Sequence, residues 1–441
     1  MATWELAVQV AQWAASIFVS LDVRTQRRMV PLLVGALFTQ GRSTVSRWIA
    51  AAGVGADFRR YYYALGSLGR KSQTVAGSVY SVIQRVIPLP ERVVLALDDT
   101  LTKRYGPMIE GAGIHHNPTP GPADAKLAYG HVWVTIALVV RHPQWGALAL
   151  PLLSKLYVRL KDLVKIPAEY RWTFQTKLEL GAGLVEWFAT LLRSIQRRLW
   201  VVVDGGYTKR PFLKRTLAAG ATVVGRLRKD AALRGVPPAP KSRQRGRPRK
   251  YGDRIDLARR AHHRQGWQQE EFTLYRERVV KTYKTFLATY PPVGGAIRVV
   301  VVREEHGWVA WYCTDTQATV EQILETVADR GAIEQVFHDV KEVHGAGQQQ
   351  LRNIWANVGA WNLLLWLQTL IELWAWSRKE SNLVDRSDRP WDDEPRRPSH
   401  ADKRNSLRRE CLHETISAAP TIKTSPRKIL ALLQRLTALV C

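Results

Sequence analysis

Cysteine is scarce in this chain of 441 residues, which contains only three. Cys313, Cys411 and Cys441 lie far apart and form no Cys-x-x-Cys pair. Disulfide-stabilised modules and structural zinc sites need cysteines at closer and more regular spacing, so both classes are excluded. Low cysteine usage is typical of a reducing interior compartment, and we expect a cytoplasmic location.

The chain also lacks an uninterrupted apolar run of transmembrane length. A bilayer-spanning helix needs about 20 consecutive, predominantly apolar residues. The strongest candidate is the segment 354–376, which is interrupted by four polar side chains: Asn357, Asn362, Gln368 and Glu372. We therefore predict a buried core helix in this segment rather than a membrane span.

Acidic residues are few relative to basic ones. The chain has 38 Asp and Glu against 65 Lys and Arg, for a net charge of +27 and a pI near 10.3. An excess of this size favours a polyanionic partner, DNA or RNA. An anionic membrane surface is the alternative, but no segment has the pattern of a basic amphipathic membrane helix.

Hydrophobic residues make up 46% of the chain, enough for a large core and two to four domains. Residues 1–90 have broken helical periodicity. Within them, residues 41–49 read as a turn, a cap and a helix start that includes Arg47. We predict either a helix-turn-helix that binds DNA or a plain helical bundle.

Residues 91–228 have the alternating strand and helix pattern of a layered α/β fold. Residues 229–318 form a basic, Pro-containing and then β-rich insertion, helical periodicity returns over 319–378, and 379–441 read as a linker and a helical end. The predicted strands are 93–97, 131–140, 147–153, 199–203, 222–227, 271–275, 296–302 and 308–313, and the predicted helices include 177–198, 210–219 and 319–343.

Acidic residues stand at the ends of two predicted strands. Asp98 and Asp99 end the first strand, and Asp204 follows the strand 199–203. Carboxylates at the ends of neighbouring strands can converge on one small volume, where divalent cations remove their mutual repulsion. Hard oxygen ligands select Mg²⁺ or Mn²⁺. The ordinary alternative is that each acid is a strand-end or cap residue.

A third acid lies on a predicted helix between two cations. Arg330, Glu334 and Lys341 are separated by four and seven positions, so their side chains share one helical face. Three separated carboxylates beside helical cations, in a very basic chain, predict metal-dependent chemistry on nucleic acid. Two ions about 3.5–4 Å apart can activate a water and stabilise the leaving oxygen in phosphodiester displacement.

This order of acids resembles the DDE transposases of bacterial insertion sequences, which use an RNase H-like fold. One subgroup is marked by Tyr, two residues, Arg, three residues, Glu, six residues and Lys. The resemblance covers about residues 91–375, and its matching positions are Asp99-Thr100, Asp204, Val327, Arg330, Glu334, Lys341 and Gly345-Ala346-Gly347.

The resemblance implies that Asp99, Asp204 and Glu334 are the catalytic, metal-binding residues of a site for two Mg²⁺ or Mn²⁺ ions. Arg330 and Lys341 would grip the phosphates beside the cut. Because adjacent strand residues point to opposite faces, only one of Asp98 and Asp99 can face the metal; we predict Asp99, with Asp98 as the alternative.

The resemblance further implies a prokaryotic protein of the nucleoid that acts on double-stranded DNA and handles two terminal inverted repeats as a homodimer. Residues 1–90 would recognise the repeats, and the core would cut the ends and join them to target DNA. The chain departs from the signature at Val327, which leaves a hairpin-ended intermediate open. A nuclease without strand transfer and a domesticated, non-catalytic DNA-binding protein are the alternative functions.

Further residues are predicted to contact DNA. Arg245-Gly246-Arg247-Pro248, followed by Arg249 and Lys250, resembles an AT-hook, in which an extended Arg-Gly-Arg arc enters a narrow minor groove. A disordered basic linker is the alternative.

Two tryptophans in the insertion, Trp308 and Trp311, are candidates for stacking on a base flipped out of the DNA end, as an aromatic does in the resembled family. Ordinary strand packing is the alternative. Lys103 and Arg104, just past the first acids, are predicted to contact phosphate.

Overall fold

The computed structural model describes residues 4–117, 125–237, 249–384, 391–392 and 396–417. Its first part is helical, as the sequence predicts. The five helices are α1 (Val8–Phe18), α2 (Val23–Phe38), α3 (Val45–Ala51), α4 (Phe58–Arg70) and α5 (Ser72–Val86). Two of them begin at side-chain caps, because Asp22 accepts a hydrogen bond from the Thr25 amide and Thr44 accepts one from the Arg47 amide.

Within the described residues, twelve strands form one mixed sheet. The first six are β1 (Arg92–Lys103), β2 (Gly113–His116), β3 (Leu127–His142), β4 (Gly146–Tyr157), β5 (Arg198–Val203) and β6 (Thr222–Leu227). The others are β7 (Leu233–Arg234), β8 (Arg254–Ile255), β9 (Gln268–Leu274), β10 (Glu277–Tyr290), β11 (Gly295–Glu304) and β12 (Gly307–Cys313).

Strand β1 lies inside this sheet, between β3 and β5. It pairs antiparallel with β3 and parallel with β5, and β3 pairs antiparallel with β4. Strand β5 in turn pairs parallel with β6. The order β4-β3-β1-β5-β6 is consistent with the predicted RNase H-like core, and β12 extends it by pairing antiparallel with β6.

The remaining helices cover the sheet and its edge. They are α6 (Lys177–Leu192), α7 (Arg210–Ala218), α8 (Leu257–His262), α9 (Val320–Asp329), α10 (Gly331–Glu342), α11 (Ile354–Ala375), α12 (Glu380–Leu383) and α13 (His400–Ser417). Helix α11 is buried along almost its whole length, which confirms the prediction of a core helix. Among the described residues, no helix is long and apolar enough to cross a membrane.

The helical N-terminal region packs directly on the core through α4 and α11. A Cβ atom at Gly69 would lie 1.9 Å from the carbonyl oxygen of Trp355, and one at Gly359 would lie 2.0 Å from that of Leu65. These two backbones therefore touch at positions where only glycine fits. The contact fixes α4 and α5 close to β4 and α6.

Three of the differences between the structure and the sequence predictions have a clear physical reason. Strand β10 is absent from the predicted set, because its charged and apolar residues alternate without a clean period of two. The predicted helix 319–343 breaks into α9 and α10 at Arg330, beside Gly331. Helix α13 begins at His400, early in the region 379–441 that the sequence predicts to open with a linker, because His400 and Lys403 pair with buried Glu372.

Candidate active site

Side chains of β1 alternate between two helical layers. Leu97 faces α6, since a Cβ atom at Gly181 would lie 3.2 Å from its Cδ1 atom. Arg92 faces the other layer, where it lies 3.6 Å from Glu325 of α9. Successive strand residues point to opposite faces. Asp98 therefore points toward the α9 and α10 layer, and Asp99 points toward α6.

Asp98 is joined to Glu334 through one guanidinium group. Arg330 Nη1 donates to Asp98 Oδ2 at 3.0 Å, and Arg330 Nη2 donates to Glu334 Oε1 at 2.5 Å. The Asp98 and Arg330 side chains are only 18% and 19% exposed, whereas that of Glu334 is 58% exposed. Two predicted site residues, Arg330 and Glu334, thus meet β1 at Asp98.

The predicted cation Lys341 reaches the same face of β1. Its Nζ donates to Thr100 Oγ1 at 2.6 Å, and burial lowers its pKa. Thr100 is two residues from Asp98, so both point to the α10 side. The shared helical face of Arg330, Glu334 and Lys341 that the spacing predicts therefore exists, and it lies against Asp98 and Thr100.

Asp204 lies level with Asp98 at the end of β5. The last residue pair of the parallel ladder is Leu97 with Val203, so the next residues on each chain are Asp98 and Asp204. Asp204 Oδ1 accepts hydrogen bonds from the amides of Gly206 and Tyr207 at 2.9 and 3.3 Å. These bonds hold the carboxylate at the turn where β5 ends.

The acids act on one another electrostatically. Burial raises the pKa of Asp98 to about 6; the charge of Arg330 opposes this rise, and the negative charges of Asp204 and Asp99 add to it. Three carboxylates from two strands therefore lie close enough to repel one another. Such a cluster favours an additional cation.

Asp99 has separate partners on the α6 side. Lys177, the first residue of α6, donates to Asp99 Oδ2 at 2.6 Å, and Tyr207 donates from its hydroxyl to Asp99 Oδ1 at 3.0 Å. Burial and the charge of Asp99 raise the pKa of Tyr207, which keeps the phenol protonated and donating. The structure does not bring the side chains of Asp99 and Glu334 to the same face of β1.

The donor set fits a hard divalent cation in its chemistry. Carboxylate oxygens are the ligands that Mg²⁺ and Mn²⁺ prefer, and the acid cluster repels itself without a cation. In the described part of the chain, no group of three or more His, Cys, Asp or Glu side chains is already arranged to hold an ion. Arg330 is the cation that lies between Asp98 and Glu334 in this arrangement.

The structure corrects one predicted phosphate contact. Arg104 is buried, with 6% of its surface exposed. It donates from Nε to His131 Nδ1 at 3.2 Å and from Nη1 to the carbonyl oxygen of Gly347, and burial lowers its pKa to about 10. Arg104 therefore fixes the loop after α10 instead of facing DNA. Its neighbour Lys103 is exposed.

The two candidate stacking tryptophans lie within the sheet. Trp308 is 8% exposed and has Lys229 over its ring at 5.4 Å. Trp311 is half-buried, with Arg226 at 6.0 Å from its ring centre. Both tryptophans belong to β12 and already have a cation of β6 or the residues after it against the ring, so the contacts favour strand packing over capture of a base.

The remaining predicted DNA contacts fall on the surface or outside the described residues. Arg249 and Lys250 are exposed. Arg245 and Arg247 lie outside the described residues. Arg47 is exposed on α3, and its Nη1 donates to the carbonyl oxygen of Gln40 at 3.0 Å. Helix α2, the turn after it and helix α3 have the order of the predicted helix-turn-helix.

Sequence reasoning missed Lys177 and Tyr207. Tyr207 follows Asp204 by three residues, in the turn that Asp204 caps, and this spacing is the signal that points to it. Lys177 gives no comparable signal, since it reaches Asp99 only because α6 begins beside β1. Contacts of this kind depend on the packed arrangement of the elements.

Comparison with protein families relates this chain to a known family. The model of a family described as DDE superfamily endonuclease matches residues 17–286. The matched segment contains Asp98, Asp99 and Asp204 and ends before Glu334. A comparison with curated proteins finds no significant match.

Proposed function

Because the chain belongs to the DDE superfamily of endonucleases, we propose that it is a DNA transposase that cuts at terminal inverted repeats and joins the freed 3′ ends to target DNA. The observation that carries the proposal is the grouping of Asp98, Asp204 and Glu334. They come from the middle of β1, the end of β5 and the first turn of α10, with Arg330 between two of them. The net charge of +27 suits the polyanionic substrate.

We propose Asp98, rather than Asp99, as the first metal ligand. The Thr100 context of the resembled family favours Asp99, but the contacts favour Asp98, which shares the α10 side with Glu334 and Lys341. Asp99 instead holds Lys177 and Tyr207. In this proposal Asp99 is a positioning residue that fixes the turn after β5 and the start of α6.

Asp98, Asp204 and Glu334 would hold the Mg²⁺ or Mn²⁺ ions of the site. When bound, such ions supply Lewis-acid stabilisation of the attacking and leaving oxygens. The chain's own cations act on the DNA instead, since Arg330 and Lys341 bind phosphate oxygens on either side of the scissile bond. Arg330 must leave Asp98 and Glu334 to do so, so entry of DNA and release of the two carboxylates are coupled.

The proposed reaction has two steps. Water attacks the phosphorus at the transposon end and the P–O3′ bond breaks, which leaves a 3′-hydroxyl and a 5′-phosphate. The 3′-hydroxyl then attacks a target phosphorus and displaces the target 3′-oxygen. Two ends take part, so we propose a homodimer bound to DNA. Membership of the Tyr-Arg-Glu-Lys group is part of this proposal, with Val327, which packs against the core, in place of the tyrosine.

The test uses a plasmid that carries the DNA flanking this gene on both sides. Purified protein with Mg²⁺ or Mn²⁺ should cut at inverted repeats and give joined products on a gel, and Asp204→Asn and Glu334→Gln should give neither. Lys214→Met, at an exposed position on α7, is the matched control and should keep both activities.

The other possible results of this cleavage experiment each lead to a specific conclusion. Cutting without joining assigns a nuclease. Unchanged cutting by Asp204→Asn removes this carboxylate from the site. No cutting by the wild-type protein with any flanking end or metal contradicts the enzymatic proposal and leaves DNA binding alone.

A further inference from the structure

A cavity of about 290 Å³ lies between α4, α5, β4, the start of α6 and α11. Ligand pockets are typically about 300–1,000 Å³, so this cavity suits a small ligand. Its described lining includes three cations, Arg70, Lys155 and Arg171, and no Asp or Glu. The electrostatic character of the cavity therefore favours an anion.

Lys155 is the most informative of these cations. It lies half-buried on β4, and burial lowers its pKa. Its ammonium group makes no hydrogen bond or ion pair with the described residues. The acid that acts on it, Glu186, is already held by Arg215 in two hydrogen bonds of 2.7 and 2.5 Å. A half-buried ammonium group without a counter-ion is stabilised by an anionic ligand.

The same cavity has an aromatic wall. Trp172 and Trp355 lie with ring centres 4.9 Å apart, and Tyr170 is fixed by a hydrogen bond of 2.8 Å from Asn353 Nδ2 to its hydroxyl. Arg70 lies 5.7 and 6.0 Å from the Tyr170 and Trp355 rings. Aromatic rings beside guanidinium groups are the surfaces on which nucleobases stack.

The position of the cavity relates it to the acids. Asp99 pairs with Val134 of β3, and Val134 pairs with Lys155 of β4. Directly paired residues share a face, so Asp99 and Lys155 both point to the α6 side, roughly 10 Å apart across two strand spacings. The cavity therefore lies on the Asp99 and α6 face of the sheet, opposite the face where Lys341 contacts Thr100.

We propose that this cavity binds one nucleotide of an unpaired DNA strand, with its phosphate on Lys155 and Arg70 and its base against Trp172 and Trp355. The proposal rests on the proposed DNA-cutting function for the identity of the strand. Arg171 also lines the cavity and is exposed, and it is held at a φ of +49°, which is uncommon for a residue with a side chain.

The test measures binding of a fluorescent oligothymidylate by anisotropy, beside binding of a blunt duplex. Lys155→Met should weaken oligothymidylate binding about tenfold or more, because one charge-assisted hydrogen bond is lost. It should change duplex binding less than about twofold. Trp172→Leu should weaken it about five- to tenfold through lost stacking. Lys155→Arg should restore most of the affinity, and Lys214→Met is the control.

Several results would overturn the proposal. One is equal oligothymidylate binding by Lys155→Met and wild type when both have the same thermal midpoint. If Lys155→Met does not fold, Arg171→Gln decides instead, because Arg171 is exposed and carries no core packing. If inorganic phosphate competes as well as the oligothymidylate does, the cavity is a site for a bare anion. If dTMP binds and the oligothymidylate does not, the cavity is a site for a free nucleotide.

Cleavage by the same preparations separates this proposal from the proposed function. If the wild-type protein cuts DNA and Lys155→Met has no effect on strand binding, the cavity proposal is wrong and the transposase proposal stands. If the wild-type protein never cuts DNA but binds the single strand in a way that depends on Lys155, the cavity proposal stands and the transposase proposal is wrong.

Discussion

Two carboxylates of this chain, half-buried Asp98 and buried Glu372, have opposite electrostatics. Burial raises the pKa of Asp98 to about 6, and Asp99 and Asp204 add to the rise while Arg330 opposes it. Burial also acts to raise the pKa of Glu372, but Lys403 and His400 hold it at about 2. Both acids therefore have cationic neighbours, and the difference lies in the other acids around Asp98.

The comparison separates a structural acid from a functional one. Glu372 accepts from Lys403 Nζ at 2.5 Å and bonds His400 Nδ1 at 2.7 Å, so its two oxygens are satisfied by the chain itself. Asp98 shares the Arg330 guanidinium with Glu334 and lies beside two more acids. A carboxylate that its own chain leaves under-compensated is the one to expect at a metal-binding site.

The largest expected effect is on cleavage. Asp98→Asn should lower DNA cutting by more than about 100-fold, because it removes a proposed metal ligand. Removal of a residue that only supports a ligand already costs up to about 100-fold in activity. Asp99→Asn should keep cutting within about tenfold of wild type. Initial rates on an end-containing plasmid measure both, and the reverse order of the two variants would contradict the assignment of Asp98.

The matching change at Glu372 should act on stability. Glu372→Gln should lower the free energy of unfolding by about 3–5 kcal/mol, because Lys403 is left buried without its counter-charge. Urea unfolding measures this change. Glu271→Gln is the control; its surface ion pair with Arg278 at 3.5 Å should contribute at most about 1 kcal/mol. A change of at most about 1 kcal/mol for Glu372→Gln would show that Glu372 contributes no more to stability than a surface ion pair does.

The depressed pKa of Glu372 gives the stability a defined pH dependence. A carboxyl group whose pKa falls from 4.5 to about 2 on folding stabilises the fold fully above pH 4.5. That contribution is lost as pH falls from 4.5 toward 2. Thermal midpoints of wild type and Glu372→Gln should therefore converge across this window, and a constant difference down to pH 2 would contradict the buried ion pair.

A smaller effect is expected from Arg330. Arg330→Gln removes the cation between Asp98 and Glu334, so it should raise the affinity for Mn²⁺ without DNA by about tenfold while lowering cutting. Calorimetric titration measures the affinity, with Arg226→Gln as the matched control on β6. Weaker Mn²⁺ binding by Arg330→Gln would show that the guanidinium supports the metal site and does not compete with it.

Much of the fold follows from local sequence. The short β-branched runs at 199–203 and 222–227 are strands because they are apolar, brief and bounded by turn residues, and the structure has β5 and β6 there. The 3.6-residue spacing of Arg330, Glu334 and Lys341 likewise predicts one face. Strand β10 could not be found in this way, since pairing with β9 and β11 determines it.

The site is only partly predictable for the same reason. Alternation along β1 requires that Asp98 and Asp99 point to opposite faces, but it cannot say which face receives α10. That choice depends on how β1, α6 and α10 pack. The cavity around Lys155 is still less accessible, because Arg70, Trp172 and Trp355 are distant in sequence and meet only through the contact of α4 with α11.

The most direct measurement of the central claim is anomalous diffraction from crystals of the protein with a DNA end and Mn²⁺. We predict Mn²⁺ peaks in contact with the carboxylates of Asp98, Asp204 and Glu334, with Arg330 moved onto a DNA phosphate. Mn²⁺ held by Asp99 while Asp98 stays paired with Arg330, or no peak at these acids, would contradict the account.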